Sequence, residues 1–319
     1  MKKVLLTTTA LVMTAGVAAA EVSFSGTAQV AITDDNGKND TTNKAGTNYI
    51  NANAATETGY QITTGYDFNV SLSAATDNGI TMSTGFDMGG GALVDYDDDD
   101  RVEAQGATVG GAELTIGWNG YTISAEQNGV DNLYDDDFAG DDLGISGAMG
   151  GITFAATTDM ETDASSVKLG YTMGDLTATF TQTNKNGNTA TGANDDASKL
   201  AISYVMGDLT ITASTDDKGI SSTNDSENKV GFSYKMDAIT LSYTSIDPEE
   251  TGKGMGDEWD AKIAYSAGGL SASYAVDEAD ATTMIATYDL GGGATVFVAS
   301  HDKANTADDM NTVGINFKF

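Results

Sequence analysis

From Glu21 to the last residue, hydrophobic and polar positions alternate along the chain with a period of two. The first run places Val22, Phe24, Ala28, Val30 and Ile32 against Ser23, Ser25, Thr27 and Gln29. Successive side chains of a β-strand point to opposite faces of the sheet, so this pattern predicts strands with one apolar and one polar face. No later window keeps a helical period. The chain is therefore predicted to be all-β.

Very short turns separate these runs at regular intervals, and longer acidic segments rich in Asn, Thr and Gly lie between the resulting hairpins. Tight turns at one end and long polar loops at the other are typical of a transmembrane antiparallel β-barrel. One first strand, two strands for each of eight turns and one last strand make eighteen, with sixteen as the fallback because alternation is poor before Gly110. The eight turns are Asp77-Asn78-Gly79, Gly110-Gly111, Gly150-Gly151, Gly174-Asp175, Gly207-Asp208, Asp237-Ala238, Gly268-Gly269 and Gly291-Gly292.

Tyrosines recur three residues before five of these turns, on the same face as the apolar residues. An aromatic ring with a polar tip suits the boundary between membrane and water, so this set predicts an aromatic girdle that faces outward at one rim. In the alternative, a soluble sandwich core, the buried hydroxyls would each need a partner. The five are Tyr171, Tyr204, Tyr234, Tyr265 and Tyr288.

The opposite face of the same strands is polar or small and contains lysines that a packed core could not hold unpaired. If the apolar face meets lipid and the polar face meets water in a lumen, every residue is satisfied. Strand parity predicts a basic lumen wall made of Arg101, Lys168, Lys199, Lys229 and Lys262.

The first twenty residues have the order of a secretory signal peptide. Lys2 and Lys3 precede an apolar stretch, and Ala18-Ala19-Ala20 provides small residues for cleavage. A membrane anchor is the alternative, but four threonines dilute the stretch. Residues 1–20 are therefore predicted to be removed, and residues 21–319 to form one barrel domain in the cell outer membrane.

The C-terminal strand ends in Gly314-Ile315-Asn316-Phe317-Lys318-Phe319, after an Asp289-Leu290-Gly291-Gly292-Gly293-Ala294 turn. Together with the leader and the hairpins, these strings resemble the general-diffusion porins of alphaproteobacteria. The resemblance implies a homotrimer in outer-membrane lipid, a terminal Phe319 read by the outer-membrane assembly machinery, and a third loop folded into the pore. Porins of this kind usually have sixteen strands.

A constriction loop is expected in residues 118–142, the longest segment without a recognised hairpin, at the place where similar porins constrict. Opposed charges across an aqueous pore would make a transverse field, and the whole chain carries a net charge of −32. The alternative is a solvated external loop. The acidic residues predicted to face the basic wall are Glu126, Asp131, Asp135, Asp136 and Asp137.

Several chemistries are excluded or disfavoured. The chain has no Cys and one His, His301, so thiolate sites are excluded and no catalytic role is expected. Ser300, His301 and Asp302 are adjacent on an extended segment and cannot converge as a triad. The acidic balance argues against nucleic acid as a partner. The run from Asp95 to Asp100 offers oxygen ligands that suit Ca²⁺, but it lacks a complete calcium-loop motif, so a solvated acidic loop is favoured over a metal site.

These features predict an outer-membrane porin whose water-filled channel passes small hydrophilic solutes and ions by passive diffusion, with a preference for cations. The competing interpretation is a non-conducting surface or adhesin-type barrel of the same fold. No cofactor is expected.

Overall fold

The computed structural model describes residues 20–34, 60–97, 101–106, 113–127, 133, 141–160, 164–184, 196–217, 226–248, 254–302 and 309–319. Within these ranges the regular structure is entirely β, as the period-two pattern predicts. No helix of the described residues is long and apolar enough to cross a membrane.

Nineteen strands are present in the described residues. They are β1 (Ala20–Asp34), β2 (Gln61–Ala75), β3 (Thr81–Asp95), β4 (Arg101–Ala104), β5 (Leu114–Trp118), β6 (Tyr121–Gln127), β7 (Asp141–Met149), β8 (Ile152–Asp159), β9 (Ser165–Met173), β10 (Leu176–Asn184), β11 (Ala197–Met206), β12 (Leu209–Asp217), β13 (Glu227–Met236), β14 (Ile239–Pro248), β15 (Glu258–Ala267), β16 (Leu270–Asp277), β17 (Thr282–Gly291), β18 (Ala294–Asp302) and β19 (Met310–Lys318).

Eighteen of these strands form one closed antiparallel barrel, which confirms the predicted number. Each strand pairs with its neighbour in the chain, and β1 closes the ring by pairing with β19 from Thr27↔Lys318 to Asp34↔Asn311. The exception is β4, which pairs with the end of β3 through Ala92↔Ala104 and Asp95↔Arg101. The barrel bypasses β4 because β5 pairs with the start of β3, Thr81↔Gly117. Closure leaves no unpaired edge for lipid to meet.

Seven of the eight predicted turns join barrel strands, and one was placed wrongly. Gly110 and Gly111 lie outside the described residues, but β5 pairs with β3 and β6, so no hairpin joins a wall strand to β5 there. The missing turn is Asn119-Gly120, where φ is 52° and 80°. Two successive positive φ angles are those of a tight hairpin turn, and Asn-Gly favours it because both residues tolerate the left-handed region.

Candidate functional site: the lumen and its inward hairpin

The cross-strand pairs determine one inward face that runs unbroken around the barrel. Directly paired residues share a face, and the pairing carries the parity from Gln29 on β1 through every wall strand to Asn316 on β19. On the far wall this face carries small and hydroxylated residues such as Ala201, Thr212 and Ser214. The outward face carries exposed aliphatic and aromatic side chains. The barrel is thus polar inside and apolar outside.

A short hairpin leaves the wall and lies inside the lumen. This inward hairpin comprises residues 92–97 and 101–104: the end of β3, the turn residues Tyr96 and Asp97, and β4. The chain turns inward at Gly89-Gly90-Gly91, where Gly91 has a φ of 76°. A Cβ on Gly65 of β2 would lie 2.5 Å from the carbonyl oxygen of Ala92. The missing side chain at Gly65 therefore lets the hairpin backbone rest against the wall.

Gln29 holds the first strand of the inward hairpin against β1. Its Nε2 donates to the carbonyl oxygen of Val94 at 3.1 Å, and the Val94 amide donates to its Oε1 at 2.6 Å. The side-chain amide thereby satisfies both backbone groups of one residue, as a neighbouring strand would. Gln29 and Val94 are both buried, so these hydrogen bonds are shielded from channel water.

Tyr96 fixes the turn of the hairpin against β18 and β19. Its ring stacks on Phe297 with centroids 4.1 Å apart and planes 10° apart. Its hydroxyl accepts from Asn316 Nδ2 at 3.2 Å, and its carbonyl oxygen lies 3.1 Å from His301 Nε2, which donates there when it carries the proton. His301 Nδ1 lies 3.1 Å from the hydroxyl of Thr283. Burial, followed by the charge of Asp97, raises the pKa of the Tyr96 phenol, so the hydroxyl stays protonated.

A small apolar cluster lies on the lumen face, beneath the hairpin. Ala31, Phe297 and Met310 point inward from β1, β18 and β19, and Val94 covers them, with Tyr96 and Val102 packed at the edge. Phe297 is completely buried. Burying such a side chain contributes about 1.5–3 kcal/mol relative to leaving it in water. The hairpin therefore shields these inward apolar residues of β1, β18 and β19 from channel water.

An acidic wall lies on four adjacent strands. By parity and pairing, Asp67 on β2, Asp87 on β3, Glu113 beside β5 and Glu126 on β6 face the lumen. Asp87, Glu113 and Glu126 line one recess of about 420 Å³. The Asp67 carboxylate accepts from Asn69 Nδ2 at 2.7 Å, and Glu113 accepts from the Thr115 hydroxyl at 3.2 Å.

A basic wall lies on four other strands. Lys168, Lys199, Lys229 and Lys262 stand on the inward face of β9, β11, β13 and β15, as strand parity predicts. In the order of the eighteen wall strands, β13 is nine strands from β3 in either direction, which is diametrically opposite. Lys229 on β13 therefore lies across the channel from Asp87 on β3, whereas Lys168 on β9 is three wall strands from Glu126 on β6.

Two of the lysines are paired with carboxylates on the same face. Lys199 Nζ lies 3.5 Å from Asp216, its cross-strand partner, and Lys229 Nζ lies 2.7 Å from Glu227. Both lysine side chains remain exposed, at 47% and 39%, so solvent screens these pairs and leaves their contribution to stability small. Both lysines line one recess of about 340 Å³ with the inward hydroxyls of β10 to β12.

The prediction of a constriction loop over residues 118–142 is wrong for its first part, residues 118–127. Those residues complete the β5–β6 hairpin, and Glu126 belongs to the barrel wall. Asp131, Asp135, Asp136 and Asp137 lie outside the described residues. Arg101 also differs from expectation, because it lies on β4 of the inward hairpin rather than on the wall. Among the described residues, the end of β3 with β4 lies in the lumen, and Leu133, between β6 and β7, also reaches the inward face of β9, where its amide donates to Ser166 Oγ at 3.0 Å.

The five girdle tyrosines lie on the outward face, each three residues before a short turn. Tyr171, Tyr204, Tyr234, Tyr265 and Tyr288 are 41–49% exposed and share their face with the apolar side chains. Trp118 and Tyr121 flank the Asn119-Gly120 turn on the same outward parity, and both are exposed. The aromatic rim thus extends to the β5–β6 hairpin.

The remaining candidate chemistries are placed as follows. Asp95 and Asp97 belong to the inward hairpin, and residues 98–100 lie outside the described residues. Among the residues that the structure describes, no group of three His, Cys, Asp or Glu could hold a metal ion. His301 points inward, whereas Ser300 has outward parity and donates to Asn311 Oδ1 at 2.8 Å. Ser300 and His301 therefore diverge, as adjacent residues of a strand do.

Comparison with known proteins agrees with this architecture. Residues 7–317 match the sequence family described as Gram-negative porin. No curated protein matches the chain. A triple mutant of the Rhodopseudomonas blastica porin is similar with a TM-score of 0.56 at 15% identity, over 93% of this chain and 100% of that one. A double mutant of the same porin has a TM-score of 0.55 at 15% identity, with the same coverage. The chain therefore belongs to the Gram-negative porin family, the outer-membrane channels whose walls are closed β-barrels.

Proposed function

We propose that this porin passes small hydrophilic solutes and ions by passive diffusion and that it prefers cations. The observation that carries the proposal is the inward face of the closed barrel, which is polar around most of its circumference. Opposite the hairpin, lumen-facing residues such as Lys199 and Thr212 remain exposed to solvent. A polar lumen of this kind offers water and solutes a continuous path across the membrane.

The inward hairpin is the segment we propose as the constriction. It occupies the lumen beside β1, β18 and β19, so solutes pass between it and the opposite wall. Asp95 and Asp97 add negative charge to that side of the passage. Asp131, Asp135, Asp136 and Asp137 stay predicted as further acidic groups at the pore, on the loop between β6 and β7.

Cation preference follows from the charge balance. Acidic residues exceed basic ones by 47 to 15 over the chain, and carboxylates accompany the lysines on the basic wall. Negative potential concentrates cations and depletes anions in the passage. The effect falls with salt, because the Debye length shrinks from about 10 Å at 0.1 M to about 3 Å at 1 M.

Single channels of the purified protein in a planar lipid bilayer test this proposal. We expect steady ohmic conductance, and a reversal potential under a KCl gradient that has the sign of K⁺ preference and declines as both salt concentrations rise. Insertion without conductance would instead favour the second candidate, a non-conducting surface or adhesin-type barrel. An anion-selective current would contradict the charge argument while leaving the channel intact.

The mature form and assembly are part of the same proposal. We propose cleavage after Ala20, so that outer-membrane material begins at Glu21 on N-terminal sequencing.

The resemblance to alphaproteobacterial porins supports a homotrimer with lipid around it, and native mass spectrometry in detergent would reject this if only monomers appeared. Phe319 is proposed as the residue that the assembly machinery recognises, since it ends the chain exposed on the outward face.

A further inference from the structure

The inward hairpin is attached to a particular part of the barrel. Its backbone rests on Gly65 of β2, and its side-chain contacts fall on β18, β19 and β1, the three consecutive strands around the place where the first strand pairs with the last. We call these three strands the seam. The hairpin is a short strand pair, with only four residue pairs between β3 and β4. A two-stranded hairpin of this size is not stable by itself in water. Its position therefore depends on what the seam provides.

The seam provides contacts of three kinds, each from a different strand. Gln29 on β1 makes both backbone hydrogen bonds of Val94. Phe297 on β18 gives the ring on which Tyr96 stacks, and His301, four residues further along β18, reaches the carbonyl oxygen of Tyr96. Asn316 on β19 donates to the Tyr96 hydroxyl. The backbone and the ring of Tyr96 are thus both held in place, by contacts from β18 and β19.

We propose that Gln29, Phe297, His301 and Asn316 are positioning residues that hold the inward hairpin on the seam and thereby set the largest solute that the pore admits. This inference rests on the proposed function, in which the hairpin narrows the passage. The apolar cluster supports it, because Phe297 and Met310 on the lumen face would meet channel water if the hairpin moved away. The hairpin thus covers the inward face of the seam, whereas Lys199 and Thr212 on the far wall stay exposed.

The position of the hairpin can be measured directly because the chain has no Cys. Spin labels on Asp97→Cys in the hairpin and Thr212→Cys on the far wall would report their separation by double electron–electron resonance. Both positions are exposed. We expect one narrow distance distribution in this parent, and a broad one after Gln29→Leu combined with Phe297→Ala. Thr27→Val, on the same face of β1 two residues from Gln29, is the matched control and keeps the distribution narrow.

The size limit is measured on the same proteins without labels. In a channel with residues 92–104 replaced by a short Gly-Ser linker, single-channel conductance and the largest neutral sugar admitted in liposome swelling should both rise. Gln29→Leu with Phe297→Ala should shift both quantities toward the values of that deletion channel, with more current noise, whereas Thr27→Val should leave them at the parent values. Should the deletion variant fail to fold, the variant of the positioning residues, Gln29→Leu with Phe297→Ala, still gives the comparison with the parent.

The outcomes distinguish two claims: that the positioning residues hold the hairpin, and that the hairpin narrows the pore. Broad distances together with a larger size limit support the inference. Narrow distances in the double variant overturn it at the positioning residues, whatever the deletion channel shows. Broad distances with an unchanged size limit, and a deletion channel that conducts like the parent, overturn it through the proposed function, because the hairpin would then not narrow the pore.

Discussion

At the scale of single residues, glycine placement decides where the hairpin can lie. Gly65 faces the lumen under Ala92, and any side chain there would meet the hairpin backbone rather than a flexible side chain. By contrast, a Cβ on Gly106 would meet nothing within 4 Å, and its φ is not positive. The two glycines thus make a matched pair, one under the hairpin and one in open space.

Gly65→Val should therefore push the hairpin away from β2 and destabilise the barrel. Overpacking of this kind costs about 1–3 kcal/mol. Equilibrium unfolding by guanidinium in detergent micelles measures the loss, and Gly106→Val is expected to change the free energy of unfolding by less than about 0.5 kcal/mol. Equal stabilities of the two variants would mean that the hairpin does not press on β2.

The girdle tyrosines were predictable from the chain because each obeys a local rule: outward parity and a fixed distance from a tight turn. The partners of Tyr96 follow no local rule. Asn316 and His301 lie more than two hundred positions away from Tyr96 in the chain, at separations of 220 and 205. Phe297 and Met310 break the polar pattern of the lumen face, but Ile246 and Ile285 break it too, so the pattern alone does not mark the covered patch.

At the scale of elements, the acidic wall and the loop between β6 and β7 are competing sources of negative charge in the pore. The combined variant Asp87→Asn, Glu113→Gln and Glu126→Gln removes three lumen charges while keeping size and hydrogen-bonding capacity. The reversal potential under a salt gradient should move toward anion preference, with conductance still present. The shift should be largest at low salt, where screening is weakest.

The matched experiment replaces Asp135, Asp136 and Asp137 together by Asn, which removes the same number of charges from the loop. A comparable shift would indicate that the loop also lines the passage. If only the wall variant moves the reversal potential, the loop carboxylates lie away from the permeation path, and their proposed role at the pore is wrong.

Strand number and parity could be derived from the sequence because alternation and turns are local. The count of eighteen was correct although one turn was misplaced, since Gly110-Gly111 took the place of Asn119-Gly120 in the tally. Only the first part of the predicted constriction loop is wrong, because without the Asn119-Gly120 turn residues 118–142 look like one long loop; the pore role of Asp131, Asp135, Asp136 and Asp137, outside the described residues, stays a prediction. The inward hairpin is short, and its position depends on side-chain contacts with strands that are distant in the chain.

At the scale of the whole molecule, the two ends of the barrel chain meet. The backbone amide of Gly26 donates to the carbonyl oxygen of Phe319 at 3.1 Å, and the Phe319 amide donates to Gly26 at 3.2 Å. The Phe319 ring lies 6.3 Å from both Phe68 and Phe317. The last residue is therefore part of the wall as well as the end of the chain.

Replacing Phe319 by Ser should lower the amount of barrel that reaches the outer membrane severalfold, because the terminal aromatic group is lost as a recognition element. Refolding of the purified variant into detergent should be nearly unaffected. Heat-modifiable migration on gels measures folded barrel in both cases, and Phe24→Ser, on the neighbouring strand, is the control. Equal losses in cells and in vitro would assign Phe319 a purely structural role.

Closure between the first and last strands also determines when the barrel can form. Thr33 on β1 and Thr312 on β19 are cross-strand partners whose hydroxyl oxygens lie 3.2 Å apart, although 279 positions separate them in the chain. Until the final strand has been synthesised and exported, the sheet has two open edges that lipid cannot satisfy. Contacts this distant in the chain form late and slowly. The barrel can therefore close only after β19, Met310–Lys318, is available to pair with β1.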